Sequence, residues 1–146
     1  MTEKELWKEF ITKNNIDDCE YEAWSFGAEP DLLAELVASG EKTATSSAYP
    51  LYALENEPLP KVGVYDVILD SKGEAVCVIQ TKKVYVIPFK EVTAEHAYKE
   101  GEGDKSLDFW RKVHEKFFTE CMEEVDLKFT SDMEVVCEEF EVVYKR

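Results

Sequence analysis

The sequence predicts an α+β fold, a small curved β-barrel of mostly antiparallel strands flanked by three to four helices. Two observations carry this. Runs of strand character cluster in the middle of the chain (VYDVILD, AVCVIQTKKVYVIPF) and at its end (MEVVCEEFEVVYKR), with helical patterns before and between them. Strands segregated in this way argue against a wound βαβ sheet. The helices are also too few to cover two faces of an open sheet, so curling is the economical way to bury the strands.

Taken in order, TEKELWKEFITKNN opens with Thr2 and Glu5 at capping-box spacing. Leu6, Trp7, Phe10 and Ile11 give it the apolar face of a short helix. YEAWSFG is aromatic and ends in glycine, which reads as a loop or a short extended piece. Pro30 suits the first turn of a second helix that ends at Gly40, with Leu32, Leu33, Leu36 and Val37 as its buried stripe. AYPLYALENEPLPKVG holds three of the five prolines and reads as a loop. VYDVILD is a strand, and the turn DSKGE leads into a second, longer run with a further strand or a bulge near Lys82 and Lys83. EVTAEHAYKEG is a short helix closed by Gly101. SLDFWRKVHEKFFTEC is a longer one, with Leu107, Trp110, Val113 or His114, and Phe117 at helical spacing. The C-terminal run is one long strand. Repeats and linkers are absent, and residues 1–146 read as one domain with residues 1–19 as an N-terminal helical extension.

Composition narrows the function. The chain carries 32 acidic against 17 basic residues, a formal charge of −15. Gripping a long phosphate backbone requires a basic surface, so bulk nucleic-acid binding is not expected. A local pocket for one nucleoside is compatible with that charge. No apolar run approaches the ~20 residues that cross a bilayer, and MTEKELWKEF has no signal-peptide character. A cytoplasmic protein is therefore expected, with no membrane partner. Cys19, Cys77, Cys121 and Cys137 are too dispersed for a zinc or redox motif and are expected as free thiols. His96 and His114 alone do not suggest a metal, and no cofactor is expected. Oligomeric state leaves no signal.

Three groups of residues could carry chemistry. Gly40, Lys42 and Thr45 form G-x-K-x-x-T directly after a helix. A buried lysine beside a threonine can take the hydroxyl proton and activate the oxygen. Equally, Lys42 can cap the last carbonyls while Thr45 and Ser46 satisfy a turn. In HAYKEGEGD, glycines separate Glu100, Glu102 and Asp104. They let the backbone bend and turn carboxylates inward, or they merely end one helix and start the next, with Asp104 or Ser106 as N-cap. Trp24, Phe26, Tyr49, Tyr52 and Trp110 are core residues or a stacking surface for a base. Nucleophile-elbow, zinc-protease, Walker and dinucleotide motifs are all missing.

In this order, AWSFG, GEKTATSS and EGEGDKSLDFW resemble the ASCH domain family, in its longer bacterial branch, over roughly residues 20 to 145. The resemblance implies a PUA-like barrel of about five to six strands, related to RNA-binding domains, with a pocket beside the curved sheet. Some shorter members are amidohydrolases that remove acetyl from N4-acetylcytidine, using the motif's lysine and threonine and a later glutamate. Carried over, these are Lys42, Thr45 and Glu100, with Glu102 competing for the last role. Trp24 or Phe26 would stack the base, while Ser46, Ser47, Glu102, Asp104 and Trp110 would line the substrate site. The short enzymes have an arginine two residues after the threonine, where this chain has Ser47. The expected ligand is a small nucleoside or RNA held locally. The competing expectations are a binding module without chemistry and a ribonuclease.

Overall fold

The structure is a computed structural model describing residues 1–146. Its strands join in the order β1 (Tyr21–Trp24), β3 (Tyr65–Leu69), β4 (Ala75–Pro88), β5 (Glu134–Lys145) and β2 (Ala44–Ala48), and the chain forms two compact units that interleave along the sequence.

The first unit comprises residues 1–43, 61–83 and 140–146. Helix α1 (Glu3–Lys13) begins at the expected capping box: the Thr2 side chain accepts from the Glu5 N–H while the Glu5 carboxylate accepts from Thr2 N–H. β1 (Tyr21–Trp24) pairs in parallel with β3 (Tyr65–Leu69), so the aromatic stretch is a strand and not a loop. β3 turns through Asp70 and Gly73 into β4 (Ala75–Pro88) and pairs with it antiparallel. Strand alternation sorts the side chains by face. Trp24, Ile68, Cys77 and Ile79 pack with Phe26 and with Leu33, Ala34 and Val37 of α2 (Pro30–Ser39). Val67 and Val78 pack on the other face with Leu6, Trp7 and Phe10 of α1. Leu32, expected in the α2 stripe, is instead 49 % exposed, because Ala34 takes the turn facing the sheet. β4 runs unbroken through Lys82 and Lys83, so no further strand begins there. In its pairing with β3 the register shifts between Ile68 and Leu69.

The second unit comprises residues 44–60 and 84–139. β2 (Ala44–Ala48) pairs antiparallel with the first half of β5 (Glu134–Lys145), placing Thr45 opposite Glu138 and Ser46 opposite Cys137. A helix, α3 (Tyr49–Leu54), occupies part of the proline-rich segment read as a loop. Pro50 sits in its first turn, where the missing N–H costs nothing. With α4 (Ala94–Glu100), α5 (Leu107–Glu124) and a 3₁₀ turn at Phe89–Glu91, the helices exceed the expected three to four. Trp110, His114, Phe118 and Met122 form the buried stripe of α5. That settles the His114 alternative and shifts the stripe from Phe117 to Phe118. Phe118 alone, fully buried, contributes about 1.5–3 kcal/mol of apolar transfer energy.

Candidate functional site

In the first unit, the end of α2 sets Lys42. Gly40 takes φ +84, a left-handed value suited to glycine, and its N–H caps the Val37 carbonyl. The Lys42 N–H donates to the Leu36 carbonyl, so the backbone of the lysine takes part in finishing the helix. The side chain runs inward and is 1 % exposed. Its Nζ lies 5.5 Å from the centroid of the Phe26 ring, a cation–π distance. Phe26 stands edge-on to Trp24 at 4.9 Å. The Trp24 indole N–H donates to Asp66 Oδ1 at 3.2 Å, and Asp66 is itself 8 % exposed. Burial pushes the Asp66 carboxyl above the usual aspartate range; the Trp24 hydrogen bond opposes this shift and nearby Glu22 adds to it. Trp24, Phe26 and Lys42 are thus brought together, and Asp66 joins them unannounced by any motif.

In the second unit, the centre is Glu100, the last residue of α4 and 1 % exposed. Gly101 follows at φ +71 and caps the helix, so the glutamate ends its turn facing inward while the chain reverses. Its Oε2 receives the Trp110 indole N–H at 2.5 Å and the Ser46 hydroxyl at 2.5 Å. His96 Nε2 lies 2.8 Å from the same oxygen and 2.8 Å from Ser46 Oγ. On the other ring nitrogen, His96 Nδ1 faces the Tyr85 hydroxyl at 3.3 Å. His114 Nε2 lies 3.6 Å from Glu100 Oε1, and its Nδ1 meets the Trp110 carbonyl at 2.9 Å. The His114 and Trp110 rings stack at 4.3 Å.

These contacts fix the charges. Burial pulls the His114 imidazole down, but the hydrogen bond to Glu100 and its negative charge outweigh this, and the result lies above the ordinary histidine value. Burial raises the Tyr85 phenol well above its usual range, so it remains a hydroxyl beside His96 Nδ1. The Cys137 thiol beside Ser46 is pushed up to about 12, chiefly by burial, with the charge on Glu100 adding to the shift. It is a neutral neighbour.

The remaining candidates fall around this centre. Alternation along β2 turns Thr45 to the face opposite Ser46, beside Glu138. The Ser47 hydroxyl lies 2.7 Å from that of Tyr52. Asp104 is exposed, and hydrogen bonds from the Ser106 side chain and then from the Ser106 N–H hold its carboxyl below the usual range. The N-cap of α5 is Ser106, whose hydroxyl accepts from Phe109. Glu102 is half-buried, and it, Glu100 and His114 offer ligand-type atoms within 4.8 Å of one another. The hydrogen bonds of Glu100 and His114 account for that proximity, and no metal is assigned to it. Sequence reasoning overlooked His96 and His114. Each forms an i, i+4 pair with a chemically matched residue, His96 with Glu100 and Trp110 with His114, and that spacing was the available signal.

An α+β sheet of this strand order defines a PUA-like domain. A model of the ASCH domain matches residues 22–144, and the chain belongs to the ASCH domain family. Among solved structures, it resembles the ASCH domain from Lactobacillus crispatus JV V101 at a TM-score of 0.91 and 30 % identity, covering 97 % of this chain and 93 % of that one. It also resembles a protein from Enterococcus faecalis V583 at a TM-score of 0.87 and 37 % identity, covering 98 % and 93 %. No curated protein matches it.

Proposed function

We propose that this ASCH domain is an amidohydrolase acting on an acylated pyrimidine nucleoside of the N4-acetylcytidine type. The observation that carries the reading is the depth of two ionisable side chains. Lys42 and Glu100, the residues that the family resemblance assigns to proton handling, are each 1 % exposed. Burying an ammonium or a carboxylate is costly, and such groups are kept where chemistry needs them. Hydroxyls from the run Thr45–Ser47 supply the nucleophile. The formal charge of −15 favours a single nucleoside over a long polyanion. Incubating the protein with N4-acetylcytidine and following cytidine by chromatography tests the reading. Release that disappears in Glu100→Gln supports it. Binding without release, measured by calorimetry, would make the protein a recognition module instead.

A further inference from the structure

We infer that the attacking hydroxyl is that of Ser46, with Glu100 as its proton acceptor and His96 as the residue that positions both. This deepens the amidohydrolase reading and rests on it for the substrate class. Within GEKTATSS, Ser46 Oγ lies 2.5 Å from Glu100 Oε2 and 2.8 Å from His96 Nε2. A hydroxyl that donates directly to a buried carboxylate is oriented for proton transfer. The hydroxyl of Thr45 is turned to the other side of β2, against Glu138. Ser46 is half-buried, whereas Glu100 and His96 are each 1 % exposed. The serine is therefore more open to solvent than the two residues it contacts.

The rest of that chain holds the pair in place. The Tyr85 hydroxyl lies against His96 Nδ1, and the opposite ring nitrogen, Nε2, faces Ser46 Oγ and Glu100 Oε2 together. The Trp110 N–H fixes the same carboxylate oxygen. Such a shell restricts the carboxylate to one orientation, which lowers the reorganisation needed at the moment of reaction.

The step is written as follows in bonds. Ser46 Oγ adds to the acyl carbonyl carbon as its proton passes to Glu100 Oε2. The carbon–nitrogen bond breaks, Glu100 returns that proton to the exocyclic nitrogen, and the free nucleoside leaves. Water then adds to the acyl-serine carbonyl and gives a proton to Glu100. The Oγ–carbon bond breaks, the proton returns to Ser46, and the carboxylic acid departs. One water is consumed, and no oxidant or metal enters.

The test is labelling of the intact protein with a fluorophosphonate, located by peptide mass spectrometry and paired with the acetylcytidine assay. The expected result is a label on Ser46, lost in Ser46→Ala and slowed about 100-fold or more in Glu100→Gln. Hydrolysis should fall by a similar factor in Ser46→Ala and by less in Thr45→Ala. A label on Thr45, or none on Ser46 while circular dichroism shows the fold intact, would overturn the inference. So would cytidine release undiminished in Ser46→Ala, which leaves the amidohydrolase reading standing. A labelled Ser46 without cytidine release upholds the serine and removes the substrate assignment.

Discussion

Asp66 and His114 show how burial and partners set a charge in opposite ways. For Asp66 the folded carboxyl titrates above its unfolded value, so the folded state binds the proton more tightly. Its stabilising contribution is full below the unfolded pKa and is lost as pH rises through the folded one. Asp66→Asn keeps the acceptor for Trp24 and should raise Tm at neutral pH, with the gain shrinking as pH falls through the raised folded value and gone below the ordinary aspartate value. A Tm gain that is independent of pH would show that the carboxyl is not strained. His114 is also raised, by its partnership with Glu100 working against burial. The stabilisation it gives is present below the ordinary histidine pKa and fades as pH climbs through the folded value. NMR titration should place His114 above the usual histidine range in the native protein and lower in Glu100→Gln; equal values would sever the two residues.

The elements near Glu100 depend on a few positions of unusual backbone. Gly103 takes φ +57, and a Cβ there would stand 2.4 Å from the Phe109 ring. Gly103→Ala should cost about 1–2 kcal/mol from backbone conformation alone, with more from the ring, read as a lower denaturation midpoint with unchanged slope. Ser106→Ala removes the N-cap of α5 and should cost about 1 kcal/mol in the same experiment. These positions also show what the chain announces in advance. The capping box of α1, the glycine stop of α2 and the strands β3 and β5 follow from local chemistry, and local chemistry is written in order along the chain. Helix α3 was masked by prolines whose effect depends on position, since Pro50 is harmless in a first turn. The parallel pairing of β1 with β3 links residues far apart, and four aromatic-rich residues carry no register. For the site, the motif residues Lys42 and Glu100 were legible, but their depth was not. Nor was the choice between Thr45 and Ser46, because strand alternation can be applied only once β2 is known to be a strand.

At the scale of the whole molecule, charge and interior chemistry point the same way. With −15 overall, the protein should bind a nucleoside with an affinity almost unchanged between roughly 50 and 200 mM salt, because few phosphates are neutralised. A steep salt dependence in calorimetry would indicate a polyanion ligand instead. The catalytic reading makes the stronger demand on the fold. It requires that a buried carboxylate, kept from water at a cost in stability, be recovered as rate. The most direct measurement is kcat/KM for N4-acetylcytidine hydrolysis by the native protein, Ser46→Ala and Glu100→Gln. The account predicts turnover by the native protein and a loss of about 100-fold or more in each variant, with circular dichroism unchanged. Hydrolysis that persists at native rates in either variant would contradict it.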